Sequence, residues 1–298
     1  MAARRVRDRG EERRGRGTRA PVSARPAARG AELLTGPRGV GEALRAGRRR
    51  LDRLLLRQGR HPAAVMALEQ RARSLGVPVV WLSREEFRAA LAGRAEPAES
   101  RGVALEAGPL PEHDLPWLLE RIRPGEPACR VVAVDGVEDP QNLGAIARVA
   151  EAAGVDALLL PRRRVSPPTA SASRASAGAL EHLPVVRVPN LGQALRRLRR
   201  AGAWTLGADA RGGADLFGLP DRAFAGSLVF VFGREGTGLR RSTLELLDER
   251  VVIPLSGRVG SLNVATAAAV VLFEARRRTG RAHPAGGPGS TAREAPEA

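Results

Sequence analysis

Residues 130–148 read Arg130-Val-Val-Ala-Val-Asp135-Gly-Val-Glu-Asp139-Pro-Gln-Asn142-Leu-Gly144-Ala-Ile-Ala-Arg148. The first six form a short apolar run suited to a strand covered on both faces. Asp139 and Pro140 make a turn, and Asn142 stands near the start of a helix expected over 143–153. The same passage from apolar strand to helix recurs down the C-terminal half, with strands at 157–160, 185–188, 204–206, 228–232 and 251–254 and helices at 191–201, 242–247 and 262–277. Alternation of this kind predicts an α/β domain with a parallel sheet between helical layers. Such sheets bind ligands at the carboxyl ends of their strands. The three most polar, glycine-containing segments, 135–144, 233–238 and 256–263, fall there.

Each segment also has an ordinary reading. Arg148 on a helix is by itself a solvated charge. Asp135, Glu138 and Asp139 lack a His or Cys to join them as metal ligands and are read as caps and turns. The second segment, Gly233-Arg-Glu235-Gly-Thr-Gly-Leu239, allows close approach of backbone to a ligand, but it is neither a Walker loop nor a dinucleotide fingerprint. The third, Ile253-Pro-Leu-Ser-Gly-Arg-Val-Gly-Ser261-Leu262-Asn263, leads into a helix, and Ser261 suits an N-cap.

Together and in this order, the three segments resemble the motifs of SpoU/TrmH-type RNA ribose methyltransferases of the SPOUT superfamily, bacterial 23S rRNA guanosine-2′-O-methyltransferases included. Ser176-Ala-Gly-Ala-Leu-Glu-His-Leu-Pro184 resembles a further segment that these proteins carry between the first two motifs. The resemblance implies a SPOUT sheet domain with a C-terminal trefoil knot, a homodimer with the site near its interface, and S-adenosyl-L-methionine held largely by backbone at Gly233, Ile253 and Leu262. It implies that Arg148 is the central catalytic group, with Asn142 positioning the hydroxyl or Arg148. Glu235 would orient Arg148, and Ser261 with Asn263 would fix the loop and the substrate. A guanidinium stays protonated across the working pH range, so a fixed cation beside the target phosphate and the nascent alkoxide is the physically easier role for Arg148 than a general base.

Outside these segments the chain divides by composition. Residues 1–30 hold ten Arg and three acids with few large apolar groups, a basic arm expected to lack a fold, as is the tail at 281–298. Residues 31–107 alternate helix and strand as a small α/β unit, resembling the ribosomal-protein-like RNA-binding domain of several rRNA enzymes. One departure is Arg101 before Gly102, where those relatives often have His or Gln. The turn-rich stretch 108–128 reads as a linker, and 129–280 as the methyltransferase domain.

The 298 residues carry 49 basic and 32 acidic side chains, a formal charge of +17, and every basic residue is Arg, which favours a polyanionic partner. Cys129 is the sole cysteine, so no internal disulfide forms. No apolar run is long enough for a membrane span, and the chain reads as cytoplasmic. His61, His113, His182 and His283 lack metal spacing and are assigned no catalytic work. Phe230, Phe232, Trp81 and Trp204 read as core. The activity expected is methyl transfer to a ribose 2′-hydroxyl, most readily a guanosine of 23S rRNA. A tRNA 2′-O-methyltransferase and a non-catalytic RNA-binding assembly factor are the alternatives.

Overall fold

A computed structural model describes residues 30–280. The basic arm, apart from Gly30, the C-terminal tail and His283 lie outside the described residues.

The small unit comprises β1 (Glu32–Thr35), α1 (Pro37–Ala46), β2 (Leu51–Arg57), α2 (Ala63–Ser74), β3 (Val79–Leu82), α3 (Arg84–Leu91), α4 (Pro97–Ser100) and β4 (Val103–Ala107). Its sheet runs β1-β4-β2-β3, with only β2 and β3 parallel. Alternating strand side chains serve two cores. Leu34, Leu54, Leu56 and Leu105 meet Val40 and Leu44 of α1 and Val65 of α2, while Leu33 and Leu55 meet Phe87 and Leu91 of α3. Ser83 and Glu86 close a reciprocal capping box at the start of α3.

The larger unit adds β5 (Glu112–His113), α5 (Leu115–Glu120), β6 (Arg130–Asp135), α6 (Pro140–Ala152), β7 (Ala157–Pro161), α7 (Ala170–Ala175), β8 (Val185–Val188), α8 (Leu191–Arg200), β9 (Trp204–Ala208), β10 (Ala214–Asp215), β11 (Leu228–Gly233), α9 (Arg241–Leu244), β12 (Glu249–Val252) and α10 (Val264–Thr279). Every pairing within its sheet, ordered β10-β12-β9-β11-β6-β7-β8-β5, is parallel. Leu228, Phe230 and Phe232 face α6 and α10, and Val229 and Val231 face α5 and α8. Both phenylalanines are core, as the sequence indicated.

Three sequence expectations are corrected. Residues 108–128 are more than a linker: β5 extends the large sheet beside β8, and α5 buries Leu118 against it. A two-residue strand and a six-residue helix are too short to show a period. Trp204 opens β9 at the amino rim and is 44% exposed, so it is not core. Asn263, not Ser261, caps α10, its Oδ1 accepting from Ala265 N at 2.9 Å.

The segment 176–184 joins the two units. Arg49, fully buried, donates to Glu181 Oε2 and Oε1 at 2.7 and 3.0 Å, to Glu32 at 2.8 Å and to the Gly108 carbonyl at 3.1 Å. Ser173 Oγ adds a 2.6 Å hydrogen bond to Glu181. A buried guanidinium that meets two carboxylates and a backbone carbonyl has its desolvation offset. This contact holds the small unit against the α7 side of the large one.

Candidate active site

All three motif segments emerge at the carboxyl rim, on β6, β11 and β12. Asp135 ends β6 buried, accepting from Thr243 Oγ1 at 2.7 Å and Arg240 N at 3.3 Å, which ties the loop after β11 to the β6 end. Asp139 caps α6 by accepting from Gln141 N and Asn142 N. Glu138 pairs with Arg234 at 3.2 Å. The acidic trio therefore makes caps, ties and one surface pair, and no group of potential metal ligands occurs among the described residues. Gly144 lets α6 meet α7 closely, since a Cβ there would lie 2.4 Å from the Ala175 Cβ.

A chain of side-chain hydrogen bonds joins the three segments. Asn263 Nδ2 donates to Asn142 Oδ1 at 3.0 Å, and Asn142 Nδ2 donates to Glu235 Oε2 at 3.1 Å. Asn142 thus satisfies both ends of its amide, with its orientation set by a carboxylate on one side and a cap residue on the other. Glu235 engages Asn142 and not Arg148, which corrects the expected partner. The Arg148 side chain is exposed on α6 and makes no hydrogen bond or ion pair with another described residue, so its charge is open to a ligand.

Beside this chain lies an open pocket of about 720 Å³ lined by the loops after β9, β11 and β12. Gly233, Ile253 and Leu262, the three expected cofactor contacts, all line it, as do Glu235 and Ser261. Asn142, Asn263 and Arg148 are outside its lining, the first two at the edge where Glu235 stands. At Gly233 a Cβ would lie 2.2 Å from the Gly238 carbonyl carbon and 2.3 Å from Leu239 N, so this loop closes only on glycine. Gly236 and Gly238 take left-handed φ of 79° and 65°. The result is a wall of bare backbone amides and carbonyls facing exposed apolar Leu255 and Leu262.

The sequence reading missed the third wall. Asp209, buried after β9, accepts from Arg211 Nε at 2.9 Å and from Arg250 Nη2 at 3.3 Å, and Arg211 also donates to the Leu239 carbonyl at 2.7 Å. Burial pushes the Asp209 carboxyl up, but the Arg211 hydrogen bonds and the Arg211 and Arg250 charges outweigh it and hold it below its ordinary value. The signal was available: Gly207-Ala-Asp-Ala-Arg211 also follows a strand at the carboxyl rim.

The profile of the SpoU rRNA Methylase family matches residues 130–273. The 23S rRNA (guanosine-2′-O-)-methyltransferase RlmB of Vibrio cholerae is 36% identical over 250 residues, 83% of this chain and 97% of that protein. Among solved structures, an S-adenosylmethionine-bound rRNA methyltransferase from Sinorhizobium meliloti superposes with a TM-score of 0.67 at 26% identity, covering 84% of this chain and 88% of that one. The SpoU methyltransferase AviRb of Streptomyces viridochromogenes, in complex with the same cofactor, gives 0.66 at 27% identity over 84% and 91%.

Proposed function

The chain belongs to the SpoU rRNA methylase family, and from that premise we propose that it transfers a methyl group from S-adenosylmethionine to the ribose 2′-hydroxyl of a guanosine in 23S rRNA. The observation that carries this reading is the convergence of Asn142, Glu235 and Asn263 from three motifs at the edge of a glycine-walled pocket.

The pocket fits the cofactor. Its Gly233–Gly238 backbone leaves polar groups for an adenine and a carboxylate, and Leu255 and Leu262 offer an apolar side to the rings. When bound there, S-adenosylmethionine supplies an electrophilic methyl on a sulfonium. The protein must supply alignment of the hydroxyl and neutralisation of the charge that grows on its oxygen. Asn142, held by Glu235 and Asn263, presents a fixed amide at the pocket edge to orient the ribose. Arg148 provides a cation for the flanking phosphate and the developing alkoxide, with the proton passing to water.

The same reading places loops 233–238 and 253–263 in a trefoil knot. In support, β12 lies beyond β9, yet the chain after it returns to Asn142 beside β6. It also makes the protein a homodimer acting in the cytoplasm. Leu255, Val259, Leu262 and Phe273 are exposed on the third motif loop and α10, and an apolar surface of this kind is covered by a partner more often than by water. The small unit and the +17 charge suit an rRNA.

Incubation with methyl-labelled S-adenosylmethionine and, separately, total rRNA and total tRNA tests the assignment. Label in 2′-O-methylguanosine from the large-subunit RNA, absent with Arg148→Ala, is expected. Label confined to tRNA would move the substrate, and no label in either pool with cofactor bound would make the protein an RNA-binding factor.

A further inference from the structure

On the sheet face opposite α10, a groove follows α8 from one rim to the other. At the carboxyl rim it opens into a cavity of about 960 Å³ lined by Arg163, Arg164, Arg196 and Arg240. Toward the amino rim it continues as a cavity of about 1050 Å³ lined by Arg196, Arg199, Arg200, Trp204 and Asp248. Arg196 and Leu246 belong to both linings, so the cavities meet along α8.

The charges of this groove are unbalanced. Its two carboxylates are already committed: Asp135 to Arg240 and Thr243, and Asp248 to Arg199 and Thr205. The side chains of Arg163, Arg164, Arg196 and Arg200 are exposed and form no hydrogen bond or ion pair with another described residue. Cations gathered without counter-charge repel one another, and a polyanion laid among them relieves that repulsion while releasing its own counterions. The groove is open and elongated, unlike the enclosed apolar cleft that a small metabolite occupies. At its far end stands Trp204, 44% exposed beside arginines, with a π-face available to a base. A basic track ending on an exposed aromatic matches single-stranded nucleic acid.

We propose that the α8 groove is a second RNA-binding site. It takes a single-stranded segment of the substrate RNA away from the methylated nucleotide, with phosphates along Arg163, Arg164, Arg196 and Arg200 and a base stacked on Trp204. The inference rests on the reading of the substrate as RNA. The passage 233–243 connects the two sites, since its first half lines the cofactor pocket and Arg240 and Thr243 line the groove. A strand in the groove therefore lies one short loop away from the cofactor pocket.

The test uses the full chain and a fluorescein-labelled single-stranded oligoribonucleotide, with anisotropy read at several salt concentrations. Three variants are compared: Arg163→Ala with Arg164→Ala and Arg196→Ala; Trp204→Ala; and a control, Arg88→Ala with Arg123→Ala and Arg222→Ala, which removes the same charge elsewhere. The groove variant is expected to bind at least about tenfold more weakly, and its slope of log K against log salt to fall by about 2, roughly 0.7 for each lost phosphate contact. Trp204→Ala is expected to lose about tenfold, the scale of one base stack. Equal losses in groove and control variants, or none in either, overturn the groove. Cofactor binding by calorimetry checks that the variants fold. Methylation of rRNA by the wild type separates the two readings. A protein that binds the oligonucleotide through the groove but methylates nothing overturns the reaction and supports the groove. One that methylates while the groove variant keeps its affinity and KM overturns the groove alone.

Discussion

The Asn142 amide donates to Glu235 across 93 residues of chain, at 3.1 Å. This pairing assigns Glu235 to Asn142 and leaves the Arg148 side chain without a carboxylate partner among the described residues. Glu235→Ala should lower kcat by about 10- to 100-fold, since a hydrogen bond to a charged group contributes about 1.5–3 kcal/mol. Glu235→Gln keeps an acceptor for Asn142 and should recover much of the loss. If Gln is as poor as Ala in single-turnover methylation, the carboxylate charge and not its geometry is what the site uses.

Gly233 tests the pocket wall. A methyl group at this position meets backbone at 2.2 Å, which no side-chain rotation relieves. Gly233→Ala should weaken S-adenosylmethionine binding by at least about tenfold and destabilise by about 1–3 kcal/mol or more. Calorimetry with the cofactor and urea denaturation would show it, and unchanged values in both would mean that the loop has another way to close.

The Arg49–Glu181 pair predicts how the two units hold together. Arg49→Ala strands a buried carboxylate and should cost about 3–5 kcal/mol, whereas Arg49→Met with Glu181→Leu should lie closer to wild type. Chemical denaturation compares them. A small effect of Arg49→Ala would show that water reaches Glu181 when the guanidinium is removed.

Glu274 predicts an acid limb. Hydrogen bonds from Arg277 and Arg278, stronger than the opposing burial, draw its carboxyl from 4.5 down to about 2. Its folded value is the depressed one, so the stabilisation is complete above the unfolded value of 4.5 and disappears as pH falls toward about 2. Glu274→Gln should flatten stability against pH in that window while leaving the slope near neutrality unchanged, as urea titrations at a series of pH values would report.

Exposed Phe273 on α10, with Leu255, Val259 and Leu262 on the loop before it, predicts association. Phe273→Glu should shift sedimentation from dimer to monomer and reduce methylation with it. A variant that sediments as the wild type does would place the interface elsewhere.

The parallel sheet and its chemistry-bearing rim were readable because the central strands are largely apolar runs of four to six residues and β6, β11 and β12 exit into polar, glycine-containing segments. The edge strands were not: β5 and β10 have two residues each and give no period, and β1, Glu32–Thr35, pairs with β4 about seventy residues on. The motifs pointed to Asn142, Glu235 and Asn263, but not to the hydrogen bonds that link them. Which of two cations or amides a carboxylate meets depends on sub-ångström placement, to which spacing along a chain is blind. Trp204 was misjudged for a similar reason: its neighbours are apolar, but its place at the first residue of β9 leaves it on the rim. The segment 176–184 was recognisable as a motif, yet its contact with Arg49 is made across 132 residues.

The bond from Asn263 to Asn142 closes a span of 121 residues. Contacts so distant form late, because the loop they close must first be ordered. As the chain is synthesised, α6 emerges with Asn142 and Arg148 long before the third motif exists, and Asn142 has neither of its partners. A half-folded molecule therefore has no aligned amide at the pocket edge. The hydrogen-bond chain that fixes the Asn142 amide is thus completed only when α10 docks.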